Sequence, residues 1–236
     1  LRTEKIRLLP KHRGQQTFEM IIFKFTKTST SALAAHVDTL RAVTYLVRRA
    51  NIDAAYSQGF NPHIELGFSP PLPLGVESYA EYVSVKAEAE ENLLERVNAV
   101  CPQGMTFTRM WTVNVNLAAK ITKAKYIVTA TGIGDVVSQL TAPNYTLVTF
   151  ERDKEVRKDV SARIFDVVRT GTDAAEITLA VGNENLRPDR IVNQLMRDNG
   201  LCGDYGIVKV DSYVGDVPTD EYLDELQAAR CACEAR

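Results

Sequence analysis

Residues 19–27, EMIIFKFTK, begin the stretch of sequence that decides the fold. Their β-branched and aromatic residues predict a strand. Ser29, Thr30 and Ser31 then offer N-cap side chains, and apolar residues recur with a helical period from 32 to 51. A strand that leads directly into an amphipathic helix is the start of a βαβ unit.

The sequence pattern predicts a similar order of strands and helices in each half of the chain. The first half continues with strands at 63–68, 79–88 and 105–115 and a helix at 90–100. The second half predicts strands at 125–131, 145–151, 176–181 and 205–214 and helices at 134–140 and 187–198. The pattern at 160–169 does not distinguish a helix from a strand. We therefore expect an α+β protein of two tandem ferredoxin-like (split βαβ) units, each with a four-stranded antiparallel sheet and two helices on one face.

Charge and composition divide the chain further. Residues 1–18 hold five Lys or Arg against one acid, whereas the whole chain has a net charge of −2. The predicted segments are a flexible basic leader at 1–18, a first unit at 19–118, a second unit at 119–215 and an acidic C-terminal helix or tail at 216–236. This distribution of charge does not by itself indicate a nucleic-acid-binding protein.

The composition excludes several classes of protein. With 236 residues, of which 45% are hydrophobic and 25% charged, the chain can form a core and is not disordered. Its apolar runs are too short to span a membrane, and it shows no secretory signal pattern, so we expect a cytoplasmic protein without a membrane partner. The four cysteines are expected to be reduced thiols. Cys231 and Cys233 lack the further ligands of a zinc site, and we expect no metal or cofactor.

Residues 56–81 form the segment richest in candidate functional groups. Its glycines and prolines set the backbone conformation. Such a segment costs free energy to form, so we expect it where side chains must be held in place. These side chains are Tyr56, Ser57, Phe60, Asn61, His63, Glu77, Ser78 and Glu81. An equally weighted interpretation is a rigid crossover loop whose aromatic residues fill the core.

The helix before this segment adds a second set of polar groups. Asp38 and Arg41 are three residues apart and can form an ion pair on one helix face. His36 or His63 beside Asp38 or Glu77 would have the chemistry of a general base. The sequence contains no GxGxxG, GxxxxGK[ST], HExxH or CxxC motif, so no specific reaction is indicated.

The predicted sheet offers a possible nucleic-acid interface. One face of a ferredoxin-like sheet is open, and aromatic residues there can stack on bases while arginines contact phosphates. The aromatic and basic residues available for such a face are Tyr79, Tyr82, Phe107, Trp111, Arg48, Arg49 and Arg109. The same aromatic residues would also suit a core or a protein–protein contact.

The run from 34 to 83, AAHVDTLRAVTYLVRRANIDAAYSQGFNPHIELGFSPPLPLGVESYAEYV, closely resembles the radical-SAM-linked protein family, an uncharacterised bacterial group. The matching residues are His36, Asp38, Arg41, Arg49, Tyr56, Ser57, Gly59 to His63, Leu72 to Gly75, Glu77, Ser78 and Glu81. Ala35, Val37 and Ile64 depart from the serine, leucine and proline of the family pattern. The likeness continues more weakly through most of residues 19–215.

The resemblance implies a partner more than an activity. Relatives are typically encoded beside, or fused to, a radical S-adenosylmethionine (radical-SAM) protein, often near genes for RNA processing and ribosomes. This chain lacks the CxxxCxxC motif that holds an iron–sulfur cluster, so the resemblance implies an accessory role.

Our leading hypothesis is an accessory protein that binds RNA and presents it to a separate radical-SAM enzyme. The alternatives are a stand-alone enzyme that uses His36 or His63 with Asp38 or Glu77, and a protein–protein adaptor. The predicted binding residues are His36, Asp38, Arg41, Arg49, Tyr56, Ser57, Gly59, Phe60, Asn61, Pro62, His63, Gly75, Glu77, Ser78 and Glu81.

Overall fold

The computed structural model describes residues 18–152 and 154–234, which form an α+β fold with one large, mostly antiparallel sheet. The strands are β1 (Glu19–Lys27), β2 (Leu66–Phe68), β3 (Glu77–Ala87), β4 (Met105–Thr112), β5 (Ile121–Thr129), β6 (Thr146–Glu151), β7 (Lys154–Asp159), β8 (Ile164–Arg169), β9 (Ala174–Ala180), β10 (Gly206–Val214) and β11 (Val217–Pro218). The α-helices are α1 (His36–Arg49), α2 (Leu93–Asn98), α3 (Leu117–Lys120), α4 (Ile133–Val136), α5 (Pro188–Asp198) and α6 (Thr219–Glu234). Apart from Phe18, the predicted leader lies outside the described residues.

The two halves share a single sheet with the strand order β4-β1-β3-β10-β5-β9-β8, in which β2 also pairs with β3 and β11 with β10. The prediction of a separate sheet for each half was therefore wrong. The reason is the length of β2, whose three residues pair only with Val83–Val85. The other end of β3 stays available, and Val208 and Lys209 of β10 pair there in parallel with Glu77 and Ser78. The β6–β7 hairpin stands apart as a two-stranded sheet.

Several predicted helices are shorter than expected. The helix predicted at 32–51 begins at His36, after a 3-10 helix at Ser29–Leu33. Ser31 does not cap it, because its hydroxyl donates to the carbonyl of Gly104 at 2.6 Å. The helix predicted at 90–100 is reduced to α2, and the one predicted at 134–140 divides into α4 and the 3-10 helix Val137–Thr141. The undecided segment 160–169 contains β8, which pairs with β9.

A β-bulge turns the side chains at the two ends of β4 to opposite faces of the sheet, and the sequence of β4 does not show this. The register between β1 and β4 shifts after Lys24, so Phe107 packs on Phe25 and the α1 side, at 5.3 Å between ring centres. Beyond the shift, Trp111 points to the opposite face, where its ring nitrogen donates to Asp224 of α6. The predicted C-terminal tail is thus a docked helix on the second face of the first-half sheet.

This arrangement also corrects the expectation of an open aromatic face. Tyr82, Phe107 and Trp111 are all buried, whereas Tyr79 is half exposed. Tyr82 and Trp111 belong to the larger hydrophobic core, which continues into the second half and includes Leu223 of α6. Phe107 belongs to the smaller core beneath α1 and α2.

A buried ion pair holds the junction of the halves together. The ammonium of Lys209 donates to Glu81 at 2.8 Å, and the two side chains are only 3% and 9% exposed. The hydroxyls of Ser78 and Ser69 donate to the same carboxylate at 2.9 and 3.3 Å. The pair therefore links β10 of the second half to β3 of the first and to the loop that precedes β3.

We expect Glu81→Gln to destabilise the protein by about 3–5 kcal/mol, because it leaves the Lys209 ammonium buried without a counter-charge. The double variant Glu81→Gln/Lys209→Met should recover part of this loss, since it removes the Lys209 charge together with its partner, although Lys27 also loses the nearby carboxylate. Urea unfolding followed by circular dichroism measures both. Glu65→Gln is the control, because its ion pair with Lys86 is about half exposed and should contribute under about 1 kcal/mol. Equal losses for Glu81→Gln and Glu65→Gln would contradict the assignment.

Candidate functional site

The segment between Tyr56 and Ile64 is a loop closed at its base by paired backbone and side-chain bonds. Tyr56 and Ile64 form an antiparallel bridge, and the Ser57 amide donates to the His63 carbonyl at 2.8 Å. The Ser57 hydroxyl lies 2.8 Å from Nδ1 of His63 and accepts the His63 amide at 3.2 Å. The structure thus brings together two of the predicted side chains and adds the Asn61 carbonyl, 3.5 Å from the same imidazole nitrogen.

The tip of the loop presents an aromatic ring to solvent. Gly59 adopts φ +142°, a conformation that side chains rarely allow, and Phe60 beside it is fully exposed. Tyr56 at the base is about half exposed, and Pro62 restricts the return of the chain. A phenylalanine held in water contributes no burial to the fold, so the loop is a candidate contact surface for another molecule.

A groove of about 500 Å³ lies beside the loop, with His63 at its edge. Its walls come from β1, α1, the segment around β2, β3 and the connection before α3. The lining residues are Met20, Leu40, His63, Ile64, Glu65, Leu66, Gly67, Ser84, Lys86, Val115 and Asn116. Sequence reasoning missed all of these except His63, because only the pairing of β2 with β3 brings these segments together. The groove combines apolar walls with an imidazole, an ammonium and an amide.

The predicted residues of α1 do not join this site. Asp38 pairs with Arg41 at 3.4 Å on the exposed helix surface, and Arg49 is exposed at the end of α1. His36 packs edge-on against Phe68, at 5.6 Å between ring centres. None of these contacts is the histidine–carboxylate pair that a general base would need.

Gly75, just before β3, and Glu77 and Ser78, at its start, belong to the structural framework. Gly75 adopts φ +82° and donates its amide to the Ala32 carbonyl, and the carboxylate of Glu77 accepts the Ser29 amide at 2.8 Å. These bonds fasten the loop before β3 to the β1–α1 connection. Ser78 belongs to the buried cluster around Glu81, so these predicted site residues are part of the framework and not of the exposed loop.

A small cavity separates His36 from the Glu81 carboxylate. It is lined also by Lys27, whose ammonium donates to the Ala34 carbonyl at 2.7 Å. Burial lowers the pKa of Lys27, and the nearby Glu81 charge opposes that shift. With a volume of about 10 Å³, the cavity has room for roughly one water molecule and not for a substrate.

The second half has a larger groove, of about 590 Å³, which the sequence did not indicate. It lies beside β8, where Phe165 stacks under the ammonium of Lys123 at 4.4 Å from the ring centre. Arg163 on its wall pairs with Glu184 at 2.7 Å. Two of its charged groups are thus paired with each other, whereas the first groove lies beside an exposed aromatic loop.

Residues 18–152 and 154–234 contain neither a metal-binding cluster nor a membrane-spanning helix. No group of three or more His, Cys, Asp or Glu side chains in this range is arranged to hold a metal ion. No helix in the same range has the length and hydrophobicity needed to cross a membrane.

We expect Ser57→Ala to speed hydrogen exchange at the His63 amide, because that amide loses its side-chain acceptor. The free energy of unfolding should fall by about 1 kcal/mol or less, since the loop is exposed. Ser57→Thr keeps the hydroxyl and should keep the slower exchange. Exchange at His63 that is the same in the alanine variant and the wild type would show that Ser57 does not close the loop.

Comparisons with known proteins match this chain to a family model and, at low similarity, to solved structures. Among curated proteins the search finds no match. A solved Cbf5-Nop10-Gar1 complex matches 81% of this chain at 8% identity with a TM-score of 0.41, and the chain spans only 48% of that one. The acetolactate synthase small subunit of Thermotoga maritima matches 83% of this chain and 96% of its own at 8% identity, with a TM-score of 0.21. Similarity this low carries no argument about function.

The specific match is to a protein family. The family model described as "Uncharacterized protein conserved in bacteria (DUF2344)" matches residues 20–188. This range includes the loop, the groove and the buried ion-pair carboxylate Glu81. Because it covers more than half of the 236 residues, the chain belongs to this uncharacterised bacterial family.

Proposed function

We propose that this protein is a non-catalytic accessory module that binds RNA and presents it to a separate radical-SAM enzyme. The observation that carries the proposal is the exposed loop with Phe60 at its tip and the groove beside His63. An exposed ring can stack on an unpaired base, and a groove with apolar walls and a few polar groups can accept a base that has turned out of its strand.

The polar groups of the groove suit the edges of a nucleobase. Asn116 carries both a donor and an acceptor, and the imidazole of His63 can serve as either. Lys86 lies at the same groove, where its exposed ion pair with Glu65, at 3.3 Å, leaves it accessible to a phosphate. Arg41, Arg48 and Arg49 on the exposed side of α1 add further cations.

The fold that we propose for this module is a tandem of two ferredoxin-like units. The first half has the spatial order β4-β1-β3-β2, and the second has the corresponding order β10-β5-β9-β8. Each half also runs strand, helix, strand, strand, helix, strand, if the β6–β7 hairpin is taken as an insertion. The repeat of both orders supports a common architecture.

A specific observation also favours protein docking. The exposed surface of α1 and the preceding 3-10 helix carries several large apolar residues, which are Leu33, Val37, Leu40 and Tyr45. Exposed apolar residues grouped on one helix are typical of a protein interface. We propose that the partner enzyme docks here, beside the RNA site. In the adaptor alternative, this surface would be used without any RNA.

The RNA site is tested by titration of the full chain with small structured RNAs at low and moderate salt. We expect Phe60→Ala to weaken binding by about fivefold or more, the loss of one stacked base. Arg49→Ala should weaken binding and reduce its dependence on salt concentration. Phe150→Ala is the matched control, because Phe150 is an exposed phenylalanine on the β6–β7 hairpin.

Equal losses in Phe60→Ala and Phe150→Ala would contradict a site at the loop. If the wild type binds no RNA at low salt, RNA is not a direct ligand and the adaptor alternative takes precedence. The docking surface is tested separately with a purified radical-SAM protein encoded beside a family member. We expect Val37→Glu to abolish that complex and Val168→Glu, on exposed β8, to preserve it.

A further inference from the structure

The face of the first-half sheet under α6 carries two cations stacked on two aromatic rings. The guanidinium carbon of Arg109 lies 4.6 Å from the ring centre of Trp111, and the Lys24 ammonium lies 5.8 Å from that of Tyr82. These residues come from β4, β1 and β3, which are neighbours in the sheet. Aromatic rings and cations on such a face are the groups that bind the bases and phosphates of single-stranded nucleic acid.

Two carboxylates of α6 accept hydrogen bonds from the donor groups of this face. Asp220 accepts hydrogen bonds from Tyr82 at 2.6 Å, from Lys24 at 2.8 Å and from Arg109 at 3.3 Å. Asp224 accepts from Arg109 at 2.7 Å and from the ring nitrogen of Trp111 at 2.8 Å. Phosphate oxygens accept hydrogen bonds from the same donors, so α6 places anions where the phosphates of a bound strand would lie.

The attachment of α6 combines apolar and polar contacts, since Leu223, Tyr222 and Leu226 pack against the larger core. Thr219 and Leu223 are its only buried residues within the described part of the chain. Farther along, the Gln227 side chain accepts the Thr112 amide at 2.7 Å. The side chains in the Arg109–Asp224 ion pair are 44% and 51% exposed, so salt and competing anions can reach it.

We propose that this face is a binding surface for single-stranded RNA, which competes with the carboxylates of α6 for Lys24 and Arg109. Bound RNA displaces α6, and the freed ring of Trp111 stacks on a base. The inference rests on the proposed function, because it adds a second contact for the same ligand. Lys24, Arg109 and Trp111 do not line the groove beside His63, so the two sites can be tested independently.

Trp111 is the single tryptophan of the chain, and its fluorescence therefore reports directly on this face. The probe is a mixed-sequence single-stranded RNA of about 12 nucleotides. We expect Asp220→Asn/Asp224→Asn to bind it about tenfold more tightly than the wild type, because the competing anions are gone. Quenching of Trp111 should accompany binding, and Arg109→Ala in the same background should reverse the gain.

The matched control is Glu221→Gln/Glu225→Gln, which removes the same charge from exposed positions of α6. A similar gain in this control would mean that the helix acts only through general charge, and would overturn the proposal. If the Asp variant does not keep the wild-type circular dichroism spectrum, Asp224→Asn replaces it.

The failure of this inference is distinguishable from failure of the proposed function. If the wild type binds RNA through Phe60 but the Asp variant gains no affinity and Trp111 is not quenched, the face under α6 is not a site and the loop proposal stands. If no variant binds RNA, both proposals fail.

Discussion

Glu81 and Lys209 place opposite charges in the interior at the point where β3 and β10 run parallel. Neither charge is stable there without the other, because burial penalises each ion far more than it penalises the pair. The pair therefore requires that β10 lie beside β3, and this contact makes the two halves one sheet. The chain then passes through β11 into α6, whose position on the first half follows from the same junction.

Residues 56–81 are divided between an interior part and an exposed part. Gly75, Glu77 and Glu81 bond to the β1–α1 connection and to β10, and they form a rigid base. Ser57 and His63 close the exposed loop, whose flank bonds to the other end of β3 at Lys86 and Ala87, and Phe60 at its tip lies in water. A ligand that met Phe60 would bind a loop whose conformation is already largely set, so less conformational entropy would be lost on binding.

The elements that could be predicted are those whose sequence pattern lies within the element itself. The strand predicted at 19–27 and the helix predicted at 187–198 follow from side-chain period and turn residues, and both are confirmed, the helix at Pro188–Asp198. The two faces of β4 could not be predicted, because Phe107 and Trp111 are an even number of residues apart and should share a face. The bulge opposite Lys24 places them on opposite faces, and nothing in the local sequence marks it. The groove residues are likewise joined only by long-range pairing.

The same limitation applies to charge. The chain as a whole has a net charge of −2, which does not by itself indicate a nucleic-acid-binding protein, yet α6 contributes five acids and one arginine to that sum. Without this helix the rest of the chain carries a formal +2. Two of its acids contact Lys24 and Arg109, so part of the negative charge neutralises the basic face that it covers. The net charge counts every residue, including those of α6. Binding depends instead on the electrostatic field at the surface that a ligand contacts.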